Sequence, residues 1–202
     1  MADIVYVYGN KPYLNLTNRC PCRCTFCIRQ NGAGLGSADT LWHRTDPTED
    51  EVLAALAAFD FSTYDEVTFC GYGEPTAALD VLKSAAAYLR ATYPALRIRL
   101  NTNGLGDLVN GRSIAAELRG LVDVVSISLN APTREKYLAV TRPSFGDVSF
   151  DAMLAFAAAC KNEGLTTMLT VVDVIPNEDI EASRALADSI GIPLRVREYT
   201  AD

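Results

Sequence analysis

Four of the six cysteines fall in one short run, Cys20-Pro-Cys22-Arg-Cys24-Thr-Phe-Cys27. Cysteines packed this closely in a chain of 202 residues are typical of metal ligands or redox groups, because a small secreted disulfide scaffold spreads its cysteines. Cys20, Cys24 and Cys27 have the spacing C-x3-C-x2-C. Three thiolates on such a loop can hold three irons of a [4Fe–4S] cluster, and the fourth iron then keeps an open coordination site.

Two other interpretations of this run stay open. A zinc site with four cysteine ligands normally uses two separated C-x2-C pairs, and the chain has no second pair. Alternatively, Cys22 is a fourth cluster ligand, which would close the site and leave an electron-transfer centre.

The elements that must position this run alternate along the chain. Strand-like runs rich in Val and Ile are predicted at 13–17, 66–70, 97–101, 122–129, 167–174 and 194–199. Helix-like runs are predicted between them at 48–59, 76–92, 111–120, 150–163 and 177–190. This alternation predicts an α/β fold with a parallel sheet covered by helices. A closed eight-fold barrel takes roughly 240 residues or more, so we expect six units. They form either a partial barrel, open on one side, or a flat doubly wound sheet.

In both arrangements the chemistry lies where the parallel strands end. The run 71–75 (GYGEP) follows the second predicted strand, where glycines permit close approach of a ligand and Glu74 supplies an acceptor. A plain turn before a helix is the alternative. Ser126, Ser128 and Asn130 share one face of the fourth predicted strand. Inside a barrel they need partners, which are a ligand, neighbouring strands or buried water.

Tyr72, within the run 71–75, and four further residues are candidates for the substrate side. Cys70 directly precedes the glycine run, Asp173 lies on the fifth predicted strand, and Arg195 and Arg197 share a face of the sixth. A small buried thiol is the alternative for Cys70, and a surface ion pair is the alternative for each charged residue. The segment 29–46 is either a lid or an irregular connection.

Composition argues against three classes of protein, namely general nucleic-acid binders, membrane proteins and secreted proteins. Eighteen basic residues against twenty-five acidic ones give a net charge of −7, which argues against a general binder of nucleic acid. No apolar run approaches the roughly 18 residues of a membrane helix, and the N-terminus lacks the layout of a signal peptide. We therefore expect a cytoplasmic protein with no membrane anchor, folded as a single domain over residues 1–202.

The cysteine run together with the later motifs resembles a known family. C-x3-C-x-aromatic-C after the first strand, with Phe26 as the aromatic, is similar to the signature of the radical S-adenosylmethionine (radical SAM) enzymes. The stretches YGNKPYLNLTNRC, CTFCIR, FCGYGEPT, RIRLNTNGLGDL, VDVVSISLNAPT and VVDVIPNEDIEA resemble in particular the radical SAM proteins associated with TatD-family proteins.

The resemblance implies a fold, two cofactors and their ligands. The fold is a partial (β/α)6 TIM-like barrel, open on one side. The [4Fe–4S] cluster is held by Cys20, Cys24 and Cys27, and S-adenosylmethionine (SAM) chelates the open iron. The run 71–75 resembles the Gly-Gly-Glu-Pro motif that holds the methionine amino group. Residues implied to contact SAM are Phe26, Tyr72 (in place of the motif's first glycine), Gly73, Glu74, Asn101, Ser128 and Asn130.

The implied activity is reductive cleavage of SAM to methionine and a 5′-deoxyadenosyl radical that abstracts hydrogen from an unidentified substrate. The implied partners are flavodoxin or ferredoxin as electron donor and, functionally, a TatD-family metal-dependent hydrolase. Two alternatives stay open. One is an activating protein for a glycyl-radical enzyme, suggested by the stretch LNTNG. The other is a non-catalytic iron–sulfur or zinc module with Cys22 as fourth ligand.

Overall fold

The computed structural model describes residues 2–199. Seven strands lie in this range: β1 (Val5–Tyr8), β2 (Lys11–Leu14), β3 (Glu66–Phe69), β4 (Arg97–Thr102), β5 (Val124–Ser128), β6 (Thr166–Val172) and β7 (Leu194–Arg197). The α-helices of the same range are α1 (Glu49–Ala58), α2 (Leu79–Thr92), α3 (Gly106–Asn110), α4 (Ala115–Leu118), α5 (Arg134–Thr141), α6 (Ser149–Asn162) and α7 (Asn177–Ser189). Short 3-10 helices occupy Ile28–Gln30, Pro75–Ala78 and Gly146–Val148.

The strands form one sheet whose spatial order is the chain order, β1 to β7. β1 is antiparallel to β2, and β2 to β7 are all parallel. A doubly wound sheet would reverse its strand order at a switch point, so this order excludes that arrangement. The two edge strands, β1 and β7, are not paired with each other. The fold is therefore the partial, open barrel.

The first strand pair differs from the prediction. The predicted strand 13–17 is observed as β2, which ends at Leu14, and a strand precedes it that the sequence analysis left out. β1 and β2 form a hairpin across Gly9 and Asn10, both with positive φ (54° and 60°). Two consecutive residues of positive φ suit the tight turns that join antiparallel strands.

Three helical stretches also differ from the prediction. The predicted helix 111–120 is replaced by α3 and α4, because Gly111 adopts a left-handed conformation and ends α3. The predicted helix 76–92 begins as a 3-10 turn. α5 was not predicted, and it begins at the cap Thr133. The predicted start of α1 is confirmed, because Thr48 and Glu51 form a capping box.

Alternating residues of the strands face two different environments. One set is fully buried beneath the helices: Leu14, Val67, Phe69, Ile98, Leu100, Val125, Ile127, Leu169 and Val171. The opposite set is polar and lines a cavity in the barrel lumen, including Tyr13, Thr68, Arg99, Asn101 and Ser126. The sheet thus has an apolar outer face and a polar inner face, and the inner face is the place for a ligand. No helix among the described residues has the length and apolarity to cross a membrane.

Candidate cluster and ligand site

The cysteine run lies between the end of β2 and the 3-10 helix Ile28–Gln30, for which Cys27 is the N-cap. All its cysteines are free thiols. Cys20, Cys24 and Cys27 are partly exposed, whereas Cys22 is only 6% exposed and packs into the core. Three accessible thiols on one loop fit the donor set of a [4Fe–4S] cluster with one open iron.

Backbone hydrogen bonds from the end of α5 hold this loop. The Arg23 N–H donates to the Thr141 carbonyl and the Thr25 N–H donates to the Val140 carbonyl, both at 2.9 Å. Beyond the helix, the Ser144 N–H donates to the Pro21 carbonyl at 2.8 Å. α5, absent from the predicted elements, is therefore the support of the loop.

The thiols of the loop influence one another. Hydrogen bonding with the Cys22 thiol lowers the pKa of Cys20 and of Cys24, and the same contacts raise the pKa of Cys22. Burial raises the pKa of Cys27. The Asn103 side-chain amide also donates to the Cys20 sulfur at 3.7 Å. Phe26, the aromatic of the motif, is partly buried between Cys24 and Cys27.

The zinc alternative receives no support from the geometry. Within residues 2–199, no three His, Cys, Asp or Glu side chains are grouped as a single metal ion requires.

The Glu74 carboxylate is buried and hydrogen-bonded to other residues of the protein. Its carboxylate accepts four hydrogen bonds from the protein, donated by the Thr76 N–H (3.1 Å), the Thr76 hydroxyl (2.7 Å), the Thr102 hydroxyl (2.7 Å) and the Asn103 N–H (2.7 Å). Burial raises the pKa of Glu74, and these hydrogen bonds oppose the rise. Three of these bonds end on Oε1 and one on Oε2, so Oε2 keeps room for a further donor. Glu74 joins the ends of β3 and β4, and its contact with the methionine amino group stays a prediction.

The two glycines around Tyr72 are required by the packing of the chain itself. A Cβ on Gly71 would lie 2.1 Å from the Asn15 side-chain oxygen, and one on Gly73 would lie 2.1 Å from the Thr17 carbonyl oxygen. The segment after β3 therefore fits closely against the segment after β2. This contact places the backbone of 71–73 beside the start of the cysteine loop, since the Glu74 N–H donates to the Arg19 carbonyl at 2.8 Å.

Tyr72 points away from the lumen. It is 3% exposed, and its hydroxyl lies 2.9 Å from the Gly32 carbonyl oxygen and 3.3 Å from that of Gly34. Its ring meets the Trp42 ring edge-on at 5.0 Å between centroids, and the Arg29 guanidinium lies over Trp42 at 4.6 Å. Tyr72 therefore anchors the segment 29–46, and its contacts with SAM and with substrate stay predictions.

The far end of that segment is fixed as well. Asn18 and His43 exchange hydrogen bonds through the Asn18 side chain and the His43 backbone (2.7 and 3.2 Å). The Asp46 carboxylate accepts from the Thr17 hydroxyl (2.8 Å), the Asn18 N–H (3.2 Å) and the Arg19 side chain (2.6 Å). The segment 29–46 is thus hydrogen-bonded to the rest of the protein near both of its ends.

The polar residues predicted at the ends of the third and fourth strands lie close to one another in the structure. Asn101 on β4 pairs in register with Ser126 on β5. Ser128 ends β5, and Asn130 follows it with φ of 61° and 5% exposure. The side chains of Ser126, Ser128 and Asn130 make no hydrogen bond with other described residues, which leaves their polar atoms for a ligand.

The four further candidates for the substrate side, Cys70, Asp173, Arg195 and Arg197, have different environments in the structure. Burial raises the pKa of the Cys70 thiol, and the nearby Arg197 charge opposes that rise. Asp173 is exposed and accepts from the Tyr199 N–H at 2.7 Å, so it joins strand ends. Arg195 and Arg197 line the lumen cavity, and no carboxylate of the described chain lies within 4.0 Å of either. Within residues 2–199, neither arginine therefore forms the ion pair that was the alternative.

Asn103 lies beside the candidate site, and the sequence analysis did not single it out. Its backbone N–H donates to the Glu74 carboxylate and its side-chain amide to the Cys20 sulfur. Its place directly after β4, where ligands bind in parallel sheets, was the available signal.

Comparison with known proteins shows which protein family this chain is similar to. The sequence profile of the Radical SAM superfamily matches residues 14–190. GTP 3′,8-cyclase 2 of Mycobacterium tuberculosis is 32% identical over 168 residues, which cover 82% of this chain and 42% of that protein. Molybdenum cofactor biosynthesis protein 1 of Drosophila melanogaster is 29% identical over 129 residues, or 64% of this chain and 21% of that protein. The chain spans less than half the length of these curated relatives.

Two solved structures share the fold. A radical SAM methyltransferase from Sphaerobacter thermophilus superposes with a TM-score of 0.66 at 15% identity, covering 96% of this chain and 68% of that one. Native anSMEcpe with bound AdoMet superposes with a TM-score of 0.66 at 18% identity, covering 93% and 50%. Because the profile spans most of the sequence and the open barrel is shared with solved members, this chain belongs to the Radical SAM superfamily of enzymes, which use a [4Fe–4S] cluster and SAM.

Proposed function

We propose that this radical SAM enzyme holds its [4Fe–4S] cluster on Cys20, Cys24 and Cys27 and uses the polar lumen of the barrel for its substrate. The observation that carries the proposal is the set of three accessible free thiols at the end of β2, beside a fourth that is buried. The burial of Cys22 supports three ligands over the closed, four-ligand module.

When bound, the cluster and SAM together supply a 5′-deoxyadenosyl radical that abstracts a hydrogen atom from the substrate. The residues of the chain position these groups. Asn103 donates to the Cys20 sulfur and is itself held by the buried Glu74 carboxylate. This chain of contacts runs from the end of β4 to the cluster loop and fixes the orientation of one ligand.

The proposed SAM contacts are the polar groups that lack protein partners. Ser128 and Asn130 present such side chains at the end of β5, and Asn101 lies on the neighbouring strand. The backbone of 71–73 supplies main-chain groups beside the cysteine loop. Gly73 serves here through its backbone, because its lack of a side chain is already required by Thr17.

The proposal includes partners. An external one-electron donor such as flavodoxin or ferredoxin reduces the cluster, and the sequence resemblance supports a functional link to a TatD-family hydrolase in the cytoplasm. The alternative role as an activating protein for a glycyl-radical enzyme would require a large protein partner. A pull-down from an anaerobic lysate distinguishes a large stoichiometric partner from none.

The test is an anaerobic assay of SAM cleavage. The protein is reconstituted with iron and sulfide, reduced with dithionite and given SAM, and 5′-deoxyadenosine is measured by mass spectrometry, with and without GTP as a trial substrate. We expect cleavage in the wild type, loss of at least a hundredfold in Cys24→Ala, and little change in Cys160→Ala, which removes a buried thiol on α6.

Cys22→Ala separates the remaining alternatives. Cleavage in this variant at the wild-type level supports three ligands. A wild type that loads and reduces its cluster but cleaves no SAM, with cleavage appearing only in Cys22→Ala, would contradict the proposal and favour the closed module.

A further inference from the structure

We propose that the substrate is a small molecule carrying phosphate or carboxylate groups, held in the lumen by Arg195 and Arg197 of β7. The inference rests on the proposed function, which makes the lumen the substrate space, and it adds the chemical class of the substrate.

The lumen contains a cavity of suitable size. Its volume is about 480 Å³, and it extends across the inner face of the sheet from β2 to β7. Ligand sites for small molecules typically measure about 300–1,000 Å³. The cavity is lined by Tyr8, Lys11, Tyr13, Glu66, Thr68, Arg99, Asn101, Ser126, Arg195, Val196, Arg197 and Glu198.

The charge of this cavity is opposite to that of the whole protein. The chain carries a net charge of −7. The cavity lining nevertheless carries four cationic side chains and only two carboxylates. Arg195 and Arg197 are exposed at the opening of the cavity, and an excess of positive charge there attracts anions. The lumen therefore selects against cations and favours anions.

The charges are not evenly paired. Glu66 binds Arg99 through two contacts of 3.1 Å and Lys11 through one of 3.4 Å, so that part of the lining is neutralised internally. Arg195 and Arg197 have no such partner in the described chain. They stand two residues apart on one strand face, about 6.6 Å along the strand, where an anion between them would relieve their mutual repulsion.

The guanidinium group determines the chemistry that would be recognised. Arginine presents donors in a planar fork that matches carboxylate and phosphate oxygens, and it stays charged at any physiological pH. Two such groups side by side suit a molecule with two oxyanion groups, or one large group with several oxygens. Glu198, the remaining carboxylate of the lining, follows the end of β7 and is exposed.

The position of the pair is suited to a substrate. Arg197 lines the same cavity as Tyr13 of β2 and Thr68 of β3. Cys70 directly precedes the run 71–73, which lies beside the cluster loop. An anion held by Arg197 would therefore keep the rest of its molecule at the reacting end of the barrel.

The test is a binding measurement. Isothermal titration calorimetry on the anaerobically reconstituted protein uses inorganic pyrophosphate in one arm and malonate in the other. We expect saturable binding of at least one, weakened tenfold or more by Arg197→Gln and by Arg195→Gln. Arg197→Lys should weaken binding less, because the charge remains. Arg184→Gln, on the exposed face of α7, should change the affinity less than twofold.

Preference for one probe assigns the oxyanion as phosphate or carboxylate. Equal affinities in the wild type and both glutamine variants, or no saturable binding of either probe by wild-type protein, would overturn the inference. Thermal melts of each variant confirm that it is folded. The titration requires no SAM cleavage. Anion binding without SAM cleavage would count against the proposed function alone, and SAM cleavage without anion binding would count against this inference alone.

Discussion

At the scale of single residues, two side chains near the cluster loop hold parts of the chain together. The Glu74 carboxylate accepts from four donors, and the Tyr72 hydroxyl binds the carbonyls of the segment 29–46. The motif at 71–75 therefore connects the segment after β3 to the end of β4 and to the segment 29–46. A bulky residue fits where the resemblance has glycine because its ring turns outward onto Trp42.

The contribution of Tyr72 can be measured by removing one oxygen. Tyr72→Phe should lower the free energy of unfolding by about 1 kcal/mol, the usual worth of a buried hydrogen bond. It should also speed hydrogen–deuterium exchange within 29–46. Tyr88→Phe, whose hydroxyl bonds no other described residue, is the control and should leave both unchanged. Equal exchange in the two variants would show that Trp42 packing alone holds the segment.

At the scale of elements, helix ends are set by local chemistry. Thr48 caps α1 by accepting from the Glu51 N–H at 3.3 Å, while the Glu51 carboxylate accepts from the Thr48 N–H at 2.8 Å. Thr48→Ala should cost about 1 kcal/mol of stability, measured by urea denaturation. Thr48→Ser keeps the oxygen and should cost much less. A serine variant as unstable as the alanine variant would exclude capping as the cause.

The elements also show what the sequence could and could not predict. The βα alternation identified β2 to β7 and four long helices, because strand and helix periodicities are local properties. β1 was missed because a four-residue antiparallel strand lacks a crossover helix, although Gly9 and Asn10 mark its turn. α5 was missed because its short, largely polar sequence has little apolar periodicity.

The candidate site was predictable to a similar extent. Cysteine spacing identified the cluster loop from eight neighbouring residues. Apart from the bonds between Glu74 and Thr76, the hydrogen bonds of Glu74 and Tyr72 that involve a side chain join residues 28 to 57 positions apart. Only the folded chain brings such groups together, so no local pattern could have revealed them. The fold also decides that no carboxylate of residues 2–199 lies within 4.0 Å of Arg195 or Arg197, and no local pattern predicts this.

At the scale of the whole molecule, ion pairs between distant elements make stability depend on pH. Glu117 on α4 accepts from Arg112 (2.9 and 3.3 Å) and from Lys83 on α2 (2.7 Å). These contacts lower the pKa of Glu117 from its ordinary 4.5 to about 2. A lowered folded-state pKa stabilises the fold above the unfolded value, and this stabilisation is lost as the pH falls from about 4.5 toward 2.

The difference in melting temperature between wild type and Glu117→Gln should therefore be largest at pH 6 and should shrink steadily at pH 4.5 and pH 3. Glu135→Gln, which removes a carboxylate without an ion pair in the described chain, should show no such trend. A difference that stays constant across this range would mean that Glu117 acts by packing and not by charge.

The open barrel has two free sheet edges, and each is protected in its own way. Free strand edges invite a second chain to add a strand, which leads to aggregation. The edge of β1 is covered by the segment 29–46, since Ser37 and Val7 exchange hydrogen bonds of 2.8 and 2.9 Å. The edge of β7 carries Arg195 and Arg197, whose like charges would oppose the same strand of another copy. We therefore expect the two arginines to oppose self-association through this edge, and neutralising them to weaken that protection.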